Sequence, residues 1–375
     1  MRILELGKFY PPHHGGIETL LRSLCEGFAR RAAEVDCVVA NERARTEHQL
    51  LHGARIHRLA SFGTLFSTSL CPAYPGATRK YRADIWHAHF PNPLADLACV
   101  RGPRDVPLVL SYHSDVVRQA SLMRAYQPLL LRLLRRADRI VVATPKHIEH
   151  SAWLPAFRQK CEVIPYGINQ ERLDASPDVL RRAEEYRAQA GGLPILLNVG
   201  RLVGYKGQRY LIEAARGLKA AVWIVGTGPL KQELQGLAAK LGMAERVRFW
   251  GSVAEEQLPA MLHACEIFAF PSVTPNEAFG LAQVEAMACR KPVVSCSLAS
   301  GVPFVNQDGI TGLVVPPSEV GALAGAIRRM LDDASLRHRL GEAAQRRARE
   351  EFSEPVMVQR YWECLERVQS AARRA

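Results

Sequence analysis

No stretch of this sequence reaches the roughly 18 consecutive apolar residues of a membrane-spanning helix. Its opening, Met1-Arg2-Ile3-Leu4-Glu5-Leu6, is charged again within five residues; this argues against a secretory segment and sets the expectation of a cytoplasmic protein. The nine cysteines contain no Cys-x-x-Cys pair and no metal-like spacing. With an odd count and a reducing compartment they read as buried free thiols, which excludes a zinc module or a disulfide framework. Low-complexity tracts, short repeats and an Asp-x-Asp loop are also missing.

What is present is an ordinary globular composition, 48% hydrophobic and 23% charged over 375 residues, which suits two domains of roughly 150 to 200 residues, each burying its own core. The formal charge of +12 is compatible with nucleic acid, an anionic membrane surface or anionic small ligands. Most of the excess lies in the first half, where residues 1–165 carry 23 Lys and Arg against 14 Asp and Glu. Between 118 and 146, Arg118, Arg124, Arg132, Arg135, Arg136, Arg139 and Lys146 face one acid, Asp138, and Leu129, Leu130, Leu131, Leu133 and Leu134 are interleaved with them. Such a helix fits anionic lipid headgroups and equally fits a solvated basic face over a buried leucine face. It lacks the aromatic interleaving and the recognition module of a nucleic-acid-binding protein, so no nucleic-acid partner is expected.

Short apolar runs alternate with amphipathic stretches from end to end, the pattern of strands and crossover helices in an α/β protein with parallel sheets. One series of strands is predicted at 3–6, 35–40, 55–59, 84–89, 108–112, 139–143 and 162–164, with helices at about 17–32, 69–82, 92–101, 120–136 and 145–151. A second series follows a polar, helix-prone segment near 177–190 and the break Gly191-Gly192-Leu193-Pro194. Its strands are predicted at 195–199, 222–225, 247–250, 267–270, 292–295 and 312–315, and its helices at about 207–217, 229–241, 255–263, 279–288, 318–332 and 335–351. Pro165-Tyr166-Gly167-Ile168-Asn169 punctuates a strand end and is the expected hinge. The expected domains are 1–168 and 169–353, with 354–375 supplying a last helix that crosses back to the first.

Ligands of open parallel sheets gather beyond the carboxyl ends of the strands, so the loops after strands are the places to search. Pro11-Pro12-His13-His14-Gly15-Gly16-Ile17-Glu18 is a Gly-Gly turn opening a helix, where backbone N–H groups can meet an anion; a plain turn has the same look. Gly200-Arg201-Leu202-Val203-Gly204-Tyr205-Lys206-Gly207 sets a guanidinium and an ammonium five residues apart, a pairing that suits a diphosphate and also occurs on ordinary surface loops. In Val225-Gly226-Thr227-Gly228-Pro229 the glycines let a ligand come close to the backbone. The most specific segment is 271–288, with Glu277 in a loop and Glu285 two turns into the following helix. A loop carboxylate can hold sugar hydroxyls while the amides of Ala278, Phe279 and Gly280 face a phosphate, and a helix carboxylate can take two ribose hydroxyls. Glu285 lies among Ala282, Val284, Ala286 and Met287, where an acid costs stability unless it is partnered. Ser111-Tyr112-His113-Ser114-Asp115 puts an imidazole and a carboxylate at another strand end, as a polar contact to a ligand or as a loop histidine without special role. His87-Ala88-His89 points two rings to one face of a buried strand; with no Cys or carboxylate cluster beside them they read as packing or supporting residues rather than a metal site.

In order and spacing, Gly15-Gly16-Ile17-Glu18, Ile164-Pro165-Tyr166-Gly167-Ile168, Gly200-Arg201 with Lys206-Gly207, Gly226-Thr227-Gly228-Pro229 and the Glu277–Glu285 pair resemble the retaining glycosyltransferases of family four, along nearly the whole chain. The resemblance implies the GT-B fold, two Rossmann-like domains whose parallel sheets face each other across a crevice. It implies that Arg201 and Lys206 bind the diphosphate of a nucleotide-sugar donor, that Glu277 contacts the transferred sugar and Glu285 the ribose, and that Gly16 approaches the donor from the first domain. It gives catalytic roles to His113, Arg201, Lys206 and Glu277, and it adds Gly15, Gly200, Gly226, Gly228, Ala278, Phe279, Gly280 and Leu281 to the donor-binding set. Transfer with retention, and without cofactor or metal, is implied as well, since basic residues and helix N-termini take over the metal's electrostatic work.

Tyr112-His113-Ser114-Asp115-Val116-Val117-Arg118-Gln119 and Ser300-Gly301-Val302-Pro303-Phe304-Val305-Asn306 are similar to the branch that builds bacterial O-antigens and exopolysaccharides. That implies GDP-mannose or GDP-rhamnose as donor, with a UDP-sugar as the alternative, and a glycan or polyprenyl-diphosphate-linked acceptor. Peripheral attachment to the inner face of the cytoplasmic membrane would follow. Two positions depart from the family: Arg290 stands where relatives usually have Gly, and Ala32-Ala33 where they usually have Gly-His. If position 290 needs positive φ, Arg costs about 1 kcal/mol there. A nucleotide-sugar epimerase or a phosphorylase are the other enzyme readings. The first would isomerise its sugar without an acceptor, and most of the second need a pyridoxal phosphate lysine for which no matching segment exists.

Overall fold

Strands form where β-branched and leucine-rich runs can be covered on both faces, and each run is closed by glycine, proline or a change to polar residues. The structure, a computed structural model, describes residues 1–13, 15–65, 68–115 and 120–374; His14 and the 116–119 stretch with Arg118, named above, lie outside them. The chain divides into two units, Met1–Gly167 with the segment from Glu354 onward, and Ile168–Ser353.

The first unit is built on eight strands: β1 Arg2–Leu6, β2 Glu34–Ala40, β3 Glu47–Leu51, β4 Ala54–Leu59, β5 Ile85–Phe90, β6 Leu108–Tyr112, β7 Arg139–Val142 and β8 Cys161–Val163. Their order across the sheet is β8-β7-β6-β5-β1-β2-β4-β3. All neighbours run parallel except β3, which pairs antiparallel with β4. β3 escapes the sequence reading because Glu47-His48-Gln49 is polar and half-exposed to exposed, as an edge strand can be. The predicted helix at 69–82 shrinks to Tyr74–Ala77 and a 3-10 turn Thr78–Lys80, since Pro72, Pro75 and Gly76 prevent a longer helical run.

Alternation along the strands divides the core in two. On one face Leu4, Leu6, Trp86, Ala88, Leu108 and Leu110 pack with Cys99 of α2 (Pro93–Arg101) and with Leu130, Leu133 and Leu134 of α3 (Ala120–Arg136). The leucine side of the basic helix thus covers the sheet, while Arg132 and Arg135 are exposed. On the other face Ile3, Val35, Ile85, Val109 and Val141 meet Leu24 and Phe28 of the Gly16–Ala29 helix and Met357, Tyr361 and Leu365 of the closing helix, Glu354–Ala372.

The second unit has six parallel strands, β9 Ile195–Val199, β10 Ala221–Val225, β11 Val247–Gly251, β12 Ile267–Phe270, β13 Val293–Cys296 and β14 Gly312–Val315. Their order is β11-β10-β9-β12-β13-β14. The winding reverses between β9 and β12, and the gap beyond the carboxyl ends of those two strands is where such sheets receive ligands.

Candidate functional site

Three loops of the second unit converge at that reversal. Residues 200–207 follow β9, 226–229 follow β10 and 271–280 follow β12. Lys206 Nζ lies 2.5 Å from Glu277 Oε2, and the same oxygen accepts from Ser272 Oγ at 2.9 Å. Both side chains are nearly enclosed, so the pair forms a charge-assisted bond in a protected setting. The ammonium also stands 5.2 Å from the Phe270 ring and 5.6 Å from that of Tyr205, which favours a cation there. Arg201 shares the loop, but its side chain is exposed and has no ion-pair partner among the described residues.

The glycines explain how the loops fit. Gly207 has φ 69°, and a Cβ there would lie 1.9 Å from the Pro271 carbonyl, while Val273 N donates to Tyr205 O at 2.8 Å; any side chain at 207 would part the two loops. Gly226 and Gly228, expected to admit a ligand, are first required by the protein itself. A Cβ on Gly226 would meet Gly200 O at 2.1 Å, and one on Gly228 would meet Leu202 O at 2.4 Å. Gly200 has its open side against the Lys206 side chain, 3.5 Å away. Gly280, in the left-handed region at φ 79°, caps α4 (Leu281–Ala288), and the first N–H groups of that helix, starting at Leu281, follow Ala278 and Phe279.

Glu285 does have the partner its apolar surroundings demand, from a residue that carries no local signal of that role. Arg172, in the 3-10 turn Glu171–Leu173, forms an ion pair with Glu285 Oε1 and reaches Glu255 Oε1 at 3.1 Å. Burial pushes the Glu285 carboxyl above its ordinary range, and Arg172 only partly opposes this.

The remaining site residues, Gly15, Gly16 and His113, belong to the first unit. Gly15 is the N-cap of the α1 helix, Gly16–Ala29, and the Glu18 carboxylate folds back over it, 2.0 Å from where a Cβ would stand. Gly16 faces open space. His113 is buried at the end of β6 and ends a chain of polar groups. Its Nδ1 is 2.8 Å from Tyr166 Oη and its Nε2 is 3.0 Å from His89 Nδ1. His89 Nε2 is 3.2 Å from Glu5 Oε2, and Glu5 Oε1 is 2.9 Å from His87 Nδ1. His87 Nε2 is 2.8 Å from Ser111 Oγ, which is 3.0 Å from Tyr361 Oη.

The reading of His87 and His89 as lacking a carboxylate is therefore corrected: Glu5 on β1 is in register with His87 on β5 and bonds both rings. The three side chains are the one His/Cys/Asp/Glu grouping of metal-ligand dimensions among the described residues. Each facing atom is already satisfied by a hydrogen bond within the group. The sequence signal for Glu5 was an acid inside Ile3-Leu4-Glu5-Leu6, the same signal used for Glu285. Burial alone would raise the Glu5 carboxyl, but His87 and His89 outweigh it and hold it at about 2. Burial lowers both His89 and His113, which favours the neutral form of each ring. Asp115, the carboxylate of the same loop, is bonded locally: it accepts from Tyr112 Oη and Ser151 Oγ, each at 2.7 Å, and from Ala152 N at 2.9 Å.

Residues 14–172 match the family described as Glycosyltransferase Family 4, and residues 183–347 match Glycosyl transferases group 1. The chain is 33% identical to the O-antigen chain mannosyltransferase C of Escherichia coli, over 96% of this chain and 97% of that protein. It is 34% identical to the D-rhamnosyltransferase WbpZ of Pseudomonas aeruginosa, over 94% and 92%. Among solved structures it superposes on HepE of Anabaena in complex with UDP with a TM-score of 0.78 and 22% identity, covering 98% of this chain and 100% of that one. The fold is GT-B.

Proposed function

This chain belongs to the glycosyltransferases, as a family 4 domain followed by a group 1 domain, and from that premise we propose that it moves a hexose from a nucleoside diphosphate sugar to a glycan acceptor during assembly of a cell-surface polysaccharide. Mannose or rhamnose carried on GDP is the donor we infer, because the two full-length relatives named above are a mannosyl- and a rhamnosyltransferase. A UDP-sugar is the second reading, favoured by the UDP in the HepE complex.

The observation that carries the proposal is the Lys206–Glu277 pair at the strand reversal between β9 and β12. As the bond from the anomeric carbon to the diphosphate breaks, negative charge grows on the leaving oxygen. Lys206 and Arg201 neutralise it without a metal ion, aided by the α4 N-terminus at Gly280 and Leu281. Glu277, fixed by Ser272, uses its other oxygen to orient the sugar through its hydroxyls. Glu285 takes the ribose hydroxyls, for which Arg172 holds the place beforehand. His113 is the imidazole assigned to the sugar, and the anomeric configuration is retained. The acceptor is a polyprenyl-diphosphate-linked glycan, and the exposed Arg132 and Arg135 suit a peripheral position on the anionic inner face of the cytoplasmic membrane.

Lys206→Ala is expected to slow turnover by about a hundredfold or more, as loss of one preorganised donor to a developing charge does. Glu285→Ala should chiefly weaken donor binding, by about tenfold or more for two hydrogen bonds to a charged group. Steady-state kinetics with GDP-mannose check both, and unchanged parameters in the two variants would reject the site. Product analysis with donor alone separates a transferase, which hydrolyses slowly, from an epimerase, which makes an isomer.

A further inference from the structure

The polar chain under His113 has a direction that its distances alone do not state. Glu5 is fully buried and ionised, so each nitrogen facing it carries a proton: Nδ1 of His87 and Nε2 of His89. A neutral His89 with its proton on Nε2 leaves Nδ1 as an acceptor. His113 must then donate from Nε2. Neutral His113 in turn accepts at Nδ1, and Tyr166 Oη is its donor. On the other branch His87 Nε2 lies 2.8 Å from Ser111 Oγ, which lies 3.0 Å from Tyr361 Oη. Along the His89 branch the donors therefore run towards the carboxylate, and no other assignment leaves Glu5 its donor from His89 while His89 and His113 are neutral.

We propose that Glu5 is a positioning residue for the transfer reaction, acting through His89 to lock His113 as its Nε2–H tautomer with Nδ1, the nitrogen facing Tyr166, as an acceptor. This rests on the glycosyltransferase reading and deepens it. His113 meets its ligand by accepting a hydroxyl proton at Nδ1, where the Tyr166 hydroxyl now stands, and it has no N–H to offer. A tautomer fixed from behind by a carboxylate orients a ring more strictly than packing does, because the wrong tautomer would set two lone pairs or two protons against each other.

The test is to assign the ring tautomers in the full-length protein, labelled with nitrogen-15 histidine, from long-range proton–nitrogen correlations. Expected are Nε2–H at His89 and His113 and Nδ1–H at His87; a His113 protonated on Nδ1, or on both nitrogens, would overturn the proposal. Stoichiometric metal at Glu5, His87 and His89 would overturn it too, because it would strip the two facing protons; mass spectrometry of the purified protein reads that directly. In Glu5→Gln the amide offers one acceptor and one donor, so one branch must invert its tautomers. Where the His89 branch inverts, kcat should fall by about tenfold or more with donor KM nearly unchanged. Unaltered tautomers, or inverted ones at His113 with undiminished kcat, would sink the positioning role. Should the tautomers stand as stated while no nucleotide sugar supports transfer, the functional reading falls and the internal assignment survives.

Discussion

Arg290 closes α4 with φ 60°, the left-handed cap for which glycine is built, and Lys291 N donates back to Ala286 O at 2.9 Å as that motif requires. Its guanidinium reaches Glu342 at 2.5 Å, but both side chains are about half exposed, so the pair contributes little. Arg290→Gly is therefore expected to stabilise the protein by about 0.5 to 1 kcal/mol, read as a higher urea midpoint, with transfer unaffected. Ala32 has φ 58° after the first helix, with Ala33 N donating to Phe28 O at 3.2 Å, and Ala32→Gly should behave alike. Both positions stood out through the family resemblance, as departures from a glycine. Glu285 was legible as an acid in need of a partner. That the partner is Arg172 was not, since 113 positions separate the two.

Between elements, the contact of α2 with α3 contains a carboxyl group that the proposed chemistry does not use. Asp96 is fully buried, accepts from Tyr126 Oη through Oδ2, and has no partner for Oδ1 among the described residues. Burial pushes it from 3.8 up to about 8, against the hydrogen bonds from Tyr126 and Asn92. The folded state therefore holds a proton that the unfolded chain releases near pH 4. The stability from this group is fully present below that pH and is lost as pH rises through about 8, at no more than about 1.4 kcal/mol per pH unit. Asp96→Asn should flatten the decline between those limits, checked by urea midpoints measured across the pH series. A decline equally steep in the variant would place the titration elsewhere. At this scale α3 was readable to the residue, 120–136, because its leucines keep helical period. β3 was not, because an edge strand need not alternate.

For the molecule as a whole, the residues assigned to the donor lie almost entirely in the Ile168–Ser353 unit. A nucleoside diphosphate at about 100 times its Kd should stabilise that unit by about 2.7 kcal/mol, which for a domain of this size raises its melting temperature by about 5 to 10 °C. Scanning calorimetry with GDP, UDP and ADP checks this and ranks the bases; no shift with any of them would remove the donor site from the second unit. Sequence by itself determined the two α/β series and the switch-point loops that hold Lys206 and Glu277, because apolar period, glycine and proline act over a few residues. Only the tertiary structure decided that Glu5 joins His87, His89 and His113, that Arg172 meets Glu285, and that Asp115 is consumed inside its own unit. Those pairings depend on the order of strands across a sheet and on which chain segment returns to it, and a side chain's partner 80 residues away leaves no periodic trace in the chain.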